Sequence, residues 1–192
     1  RFIPMQPCHL CVQINETGNR PLTISCQIPV PCPPEATKIY AKGLHELDTL
    51  DLQDHDVIYL DTGAVLQAVP PKESEMPTQE NDWAGQKNYR NFIVAQGKKH
   101  IRFVGNGIVD TSRLHWHARS PLVFSQCEDV EVEGITIINA PAWNFIVNGC
   151  NHVRIKNVRV YGYRENSDGI DIVSSRHVTV EDCFVRTGDD AI

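Results

Sequence analysis

The sequence predicts an all-β fold, a right-handed parallel β-helix, and a repeated pattern carries that prediction. Three segments place apolar residues at their second, fourth, seventh and ninth positions: 129–137, 152–160 and 177–185. The second position recurs after 23 residues from Val130 to Val153 and after 25 residues from Val153 to Val178. Short apolar strands that recur every roughly 20–30 residues are typical of β-helix coils.

Each repeat contains two strands joined at a corner. Apolar residues alternate with polar ones, so one side of each strand points inward. The alternation breaks at Gly134, Asn157 and Asp182, which predicts a corner there. The inward positions are Val and Ile rather than Leu, which disfavours a leucine-rich repeat. Helical periodicity is missing between the strands, which disfavours a βαβ fold.

Earlier segments fit the same architecture. A looser copy of the repeat begins at His100, and strands are predicted at 56–60 and 64–68 around a turn. The polar stretch 70–91 is expected to form an excursion loop. Cys127 and Cys150 are 23 residues apart, so we expect them to stack inside neighbouring coils as unbonded thiols rather than form a disulfide.

The two ends of the chain differ in composition. Residues 1–35 are rich in Pro and Cys and are predicted to be the end of an upstream β module with its linker. Residues 36–192 are predicted to be the first coils of a β-helix catalytic domain, truncated at its C-terminal end. Four early cysteines leave three alternatives open, namely zinc binding, a disulfide and, as the leading one, unpaired buried thiols: Cys8, Cys11, Cys26 and Cys32.

Charge and hydropathy narrow the possible partners. The net charge of −6 argues against nucleic acid, since phosphate binding requires a basic face. Local arginines could still bind an anionic sugar polymer. No apolar run approaches the roughly 20 residues that a membrane-spanning helix needs, so no membrane partner is expected.

Two acidic motifs lie near the end of the sequence. They are Asn166-Ser167-Asp168-Gly169 and Gly188-Asp189-Asp190. Asp168 and Asp189 are 21 residues apart, close to one coil. One coil advances a β-helix by about 4.8 Å, so the motifs should stack. Three carboxylates held close together repel one another, which raises the pKa of at least one of them and keeps it protonated. That group can act as a general acid beside the others, which act as general bases. Inverting glycoside hydrolysis needs that pair, about 6.5–9.5 Å apart.

A structural interpretation of these motifs competes with the catalytic one. Asp-Gly and Gly-Asp pairs are common in turns. Asp189 and Asp190 are also consecutive, so both can face one cleft only if the backbone bends, and Gly188 makes such a bend possible. Asp171 alternates differently from Asp168 and is predicted to be structural or solvent-exposed.

The two motifs resemble those of family 28 glycoside hydrolases, the polygalacturonase-type enzymes. Asn166 to Gly169 is similar to their Asn-Thr-Asp-Gly motif, and Gly188 to Asp190 matches their Gly-Asp-Asp motif. The resemblance extends over roughly 36–192. It implies an enzyme that cleaves pectic, galacturonan-like polysaccharide by inversion without metal or other cofactor, in an extracellular or periplasmic location.

The resemblance also implies roles. Asp189 would be the general acid, Asp168 and Asp190 would activate water, and Asn166 would orient Asp168 or a sugar hydroxyl. In that family a Gly-His-Gly and an Arg-x-Lys segment follow the Gly-Asp-Asp motif, further along than residue 192, so activity is expected to need further sequence.

Other residues have both a binding and a structural interpretation. Arg164 and Arg186 are predicted to bind galacturonate carboxylates, with a solvated coil edge as the alternative. The segment 115–117, His-Trp-His, is expected in a surface or cleft-edge loop, and Trp143 either stacks on sugar or caps the coil interior.

Three other functions stay open from the sequence. One is a calcium-dependent β-helix of the pectate lyase type, which would release an unsaturated product. Another is a non-catalytic sugar-binding β-helix with the aspartates as turn residues. A dextranase-like β-helix hydrolase is the third.

Overall fold

The computed structural model describes residues 8–12, 22–70 and 91–192. Every regular element in these ranges is a β-strand. The strands are β1 (Cys8–Val12), β2 (Leu22–Cys26), β3 (Lys38–Tyr40), β4 (Gly43–Leu47), β5 (Leu50–Asp51), β6 (Val57–Leu60), β7 (Ala64–Ala68), β8 (Ile93–Gln96), β9 (Lys99–Gly105), β10 (Ile108–Asp110), β11 (Leu122–Ser125), β12 (Glu128–Glu133), β13 (Thr136–Ile138), β14 (Phe145–Asn148), β15 (Asn151–Lys156), β16 (Arg159–Tyr161), β17 (Ile170–Val173), β18 (Arg176–Glu181) and β19 (Phe184–Arg186). In the part of the chain described here, no helix has the length and apolar character needed to span a membrane.

Three parallel sheets wind around one interior. Sheet I contains β3, β6, β9, β12, β15 and β18; sheet II contains β4, β7, β10, β13, β16 and β19; sheet III contains β5, β8, β11, β14 and β17. Each of the first five coils contributes one strand to each sheet, β18 and β19 belong to a sixth coil, and each strand pairs with its counterparts in the neighbouring coils. The predicted right-handed parallel β-helix is confirmed, with about five turns.

The register follows the predicted repeat. Val130 pairs with Val153, which pairs with Val178. The same parallel stacking joins Val132, Ile155 and Val180. The first two residues of each row are buried, whereas Val178 and Val180 are only partly buried because they lie in the last coil of the structure.

The predicted corners are also present. Gly134, Asn157 and Asp182 have φ of 80°, 53° and 53°, in the left-handed region. Gly, Asn and Asp are the residues that adopt this conformation at least cost. Each corner lets the chain leave sheet I and enter sheet II. The break in alternation at these residues therefore marks a change in the direction of the backbone.

The interior is filled by stacked apolar side chains. Phe124 and Phe145 lie in adjacent coils with ring centroids 5.9 Å apart, and both are fully buried. Cys127 and Cys150 are buried free thiols, and the Cys127 backbone N–H points at the Cys150 sulfur at 3.3 Å. The predicted thiol ladder is therefore present, and Ser175 continues it by accepting a hydrogen bond from the Cys150 N–H at 2.9 Å.

A separate hairpin lies outside the coils. β1 and β2 pair antiparallel, and Cys8 is directly opposite Cys26. Cys11 is opposite Thr23, and Cys32 lies beyond β2. A domain boundary near residue 35 stays a prediction. Almost all of the predicted excursion loop, at 71–90, lies outside the described residues.

Candidate active site

The acidic motifs lie where the chain leaves sheet II and enters sheet III. In successive coils this connection consists of residues 111–121, 139–144, 162–169 and 187–192. The connections stack as the strands do. The Asn139 N–H donates to the Tyr161 carbonyl at 3.0 Å, and the Gly162 N–H to the Arg186 carbonyl at 2.9 Å. Side chains from different coils therefore meet along one edge.

Backbone contacts fix the two motifs against each other. The Gly169 N–H donates to the Asp190 carbonyl at 2.8 Å, and the Gly188 N–H donates to the Ser167 hydroxyl at 3.3 Å. A Cβ on Gly188 would lie 2.4 Å from the Arg164 carbonyl oxygen, so only glycine fits this approach. The motifs are one coil apart, as their spacing predicted.

Three carboxylates converge at this edge. One oxygen from each of Asp168, Asp189 and Asp190 lies within 4.8 Å of the others. The backbone bends at Gly188 and Asp189, which lets two consecutive residues face the same site. The 4.8 Å bound applies to one oxygen from each group, so the expected separation of about 6.5–9.5 Å between the acid and base carboxyl groups stays a prediction.

Burial and charge raise the pKa of two carboxyls here. Burial first, and then the negative charges of Asp189 and Asp190, raise the pKa of Asp168. Burial, with the charges of Asp168 and Asp190, raises the pKa of Asp171 to about 7. Asp171 is therefore partly protonated near neutral pH, as expected for a buried carboxyl close to other carboxyls.

Asp171 is the residue that sequence reasoning missed. It was expected to be structural or solvent-exposed, yet it is half-buried and interacts with Asp168 and Asp190. It lies in β17, opposite Ile146 on the outer face of sheet III. Alternation along a strand had predicted that Asp171 and Asp168 face different ways. Asp168 lies before the strand begins, however, so alternation does not determine how the two side chains are oriented relative to each other.

The segment 111–121 braces the first motif. The Asn166 side-chain amide nitrogen is 2.7 Å from His117 Nε2, and His117 is buried. The Trp116 indole N–H donates to the Glu165 carbonyl at 3.1 Å. This cleft-edge loop therefore holds Asn166 through side chains that the sequence did not connect to it.

The two arginines have different surroundings. The Arg164 guanidinium donates to the carbonyls of Leu114 at 2.9 Å and Ser112 at 3.3 Å, which ties it to the bracing loop. Arg186 is exposed in β19, opposite Tyr161. Substrate binding by either stays a prediction.

Trp143 lies on the connection next to the acidic cluster. It is 41% exposed, so it does not cap the coil interior. The buried Asn144 beside it donates its side-chain amide to the Asp168 carbonyl at 2.8 Å, which anchors the backbone of that carboxylate.

Known proteins that are similar to this chain include polygalacturonases. The chain is 26% identical over 122 residues to a polygalacturonase of Arabidopsis thaliana, covering 55% of this chain and 28% of the relative. It is 27% identical over 130 residues to a polygalacturonase of Chamaecyparis obtusa, covering 58% and 25%. The chain thus spans about a quarter of the length of these curated relatives.

A solved structure and a family model also match this chain. A solved structure from Parabacteroides merdae superposes with a TM-score of 0.58 at 19% identity, covering 82% of this chain and 84% of that one, which supports the fold. The family model for glycosyl hydrolases family 28 matches residues 75–192, which include the acidic cluster and its bracing loop. The chain belongs to glycosyl hydrolases family 28.

Proposed function

We propose that the full-length protein hydrolyses the glycosidic bonds of a galacturonan-like pectic polysaccharide, with inversion. The convergence of three carboxylates within 4.8 Å, in a family 28 chain, carries the proposal. Relatives named as polygalacturonases support the choice of substrate. A polymeric substrate of this kind also favours an extracellular or periplasmic location.

Each carboxylate has a proposed role. Asp189 protonates the leaving glycosidic oxygen, and Asp168 with Asp190 deprotonates the attacking water. Asn166, held by His117, orients Asp168 or a sugar hydroxyl. Asp189 and Asp190 are exposed and accessible to a polymer, whereas Asp168 lies deeper. Inversion rests on the family resemblance rather than on the oxygen spacing.

One observation favours a second assignment of the acid. Burial raises the pKa of Asp168, and a raised pKa is the usual property of a general acid. Asp189 is nevertheless preferred, because it has the position of the general acid in the family's Gly-Asp-Asp motif and is accessible to a polymer. A substrate with an activated leaving group separates the two assignments, since only loss of the acid is rescued by it.

Product analysis tests the proposed reaction. The full-length protein is incubated with polygalacturonic acid, and the products are followed by proton NMR from the first turnovers. New reducing ends of inverted configuration, formed equally with and without a calcium chelator, support the proposal. Retained configuration refutes inversion.

Two further outcomes refute hydrolysis itself. Three nearby carboxylate oxygens are also hard ligands for calcium, so calcium-dependent release of unsaturated product indicates a lyase. Binding of polymer without turnover indicates a sugar-binding module.

A further inference from the structure

The hairpin of β1 and β2 and the residues that follow it make specific contacts with the coils. The His9 ring packs on Phe184 of β19 with centroids 5.3 Å apart, and the Gln27 side chain donates to the Asn157 side chain. The Val30 N–H donates to the Asn106 side chain at 2.8 Å. Because Phe184 lies only a few residues before Gly188, the hairpin braces the strand that leads into the acidic cluster.

Two cysteines face each other across this hairpin. Cys8 and Cys26 are directly opposite partners in the antiparallel ladder. Opposite Cα atoms in such a ladder are about 4.5–5.5 Å apart, inside the range of about 4.4–6.8 Å found for disulfides. Both side chains are half-buried and line one groove of about 570 Å³ between hairpin and coils. The backbone therefore already has the separation that a disulfide needs.

The other described thiols are placed less favourably. Cys11 is opposite Thr23, and Cys32 lies beyond the ladder. Cys183 lines the same groove but packs against the core, and burial raises its thiol pKa, which lowers the thiolate fraction available for exchange. Cys127 and Cys150 are enclosed by the coils.

We infer that Cys8 and Cys26 form an intramolecular disulfide that links β1 to β2 in an oxidising compartment. The oxidant is a small disulfide such as oxidised glutathione. One thiolate attacks it and releases one glutathione thiolate, and the second cysteine displaces the other. The two protons that the cysteine thiols give up pass to the two glutathione thiolates, so one protein disulfide forms and one glutathione disulfide is reduced to two thiols. The cross-link limits the unfolded states of the hairpin and so stabilises its native pairing.

Peptide mapping tests the cross-link independently of any catalytic activity. The full-length protein is equilibrated with oxidised and reduced glutathione, alkylated, digested without reduction and analysed by mass spectrometry. The expected result is one linked peptide pair joining Cys8 to Cys26, and a free-thiol count lower by two. The Cys11→Ser variant is the matched control and keeps the link, whereas Cys8→Ser and Cys26→Ser lose it.

Hydrogen exchange tests whether the cross-link stabilises the pairing of β1 with β2. Amides of β1 should exchange several-fold more slowly in the oxidised protein than in the reduced one, with no such difference in Cys8→Ser. The inference is overturned if Cys8 or Cys26 links to another cysteine, if both stay reduced in a buffer that oxidises exposed dithiols, or if the exchange rates are equal.

Discussion

Asp168 and Asp171 each have a carboxyl oxygen that is buried and has no hydrogen-bond partner in the described structure. Their charges interact, and burial raises the pKa of both groups. Two such carboxyls are most stable when they share one proton, because ionising both leaves two buried negative charges together. The charge of Asp171 therefore influences the acidic cluster, although Asp171 belongs to a strand of sheet III.

Replacing Asp171 with Asn should change how stability depends on pH. The pKa of Asp171 is raised from 3.8 to about 7, so its stabilising contribution is fully present below pH 3.8 and is lost as pH rises through about 7. Asp171→Asn cannot ionise and should gain stability relative to wild type across that range. The difference should reach on the order of 2 kcal/mol near pH 8, after allowance for partial solvent exposure. Urea unfolding at several pH values measures it.

A matched variant separates this effect from general loss of charge. Asp182 is exposed at a corner, where Asn is equally suited to the positive φ of 53°. Asp182→Asn should show a stability difference that is nearly constant with pH. A constant difference for Asp171→Asn as well would contradict the shared proton.

The stack of aromatic rings predicts a large loss on truncation. Phe145 is fully buried and packs on Phe124 at 5.9 Å. Phe145→Ala should lower the free energy of unfolding by about 3–5 kcal/mol, because a cavity replaces the ring. Leu44→Ala, at a position 62% exposed, should change it by less than about 0.5 kcal/mol. Thermal melting of both variants checks this, and similar losses for the two would be inconsistent with a packed interior.

The coils were predictable because their signals are local. Alternating Val and Ile fix which side faces inward, and Gly134, Asn157 and Asp182 mark corners where the backbone adopts positive φ. A second set of residues with positive φ lies near the start of the sheet I strands, at His100, Asp129, His152 and His177. Asp and His are among the residues enriched at positive φ, but a single Asp or His does not by itself predict that conformation, so sequence reasoning did not anticipate it.

The candidate site was predictable only in part. Asp168, Asp189 and Asp190 carry their own motifs, and the coil length predicts that they stack. The contact of His117 with Asn166 and the electrostatic interaction of Asp171 with Asp168 depend on how the connections between sheets fold over one another. No periodicity encodes such contacts, because residues 49 positions apart meet through loop geometry.

The His117 contact leads to a prediction about catalysis. His117→Ala removes the partner that holds the Asn166 amide at 2.7 Å. In the full-length protein, kcat should fall on the order of tenfold while KM changes little, because misplaced groups slow the chemical step. His117→Gln keeps a hydrogen-bonding group and should restore part of the rate. Ser112→Ala, on the same loop, should leave kcat unchanged. Equal losses in the Ala and Gln variants would point to a merely structural role.

The proposed acid is the most demanding assignment to test. Asp189→Asn keeps the shape of the side chain but removes the transferable proton. General acid–base catalysis contributes about 10²–10⁴-fold, so in the full-length protein turnover of pectic substrate should fall by that order while binding survives. A substrate whose leaving group needs no proton should recover much of this loss. Asp168→Asn and Asp190→Asn should not be rescued, because they lack the base. Rescue of Asp168→Asn instead would move the acid to the residue whose pKa burial raises, and unimpaired turnover in Asp189→Asn would remove Asp189 from the mechanism.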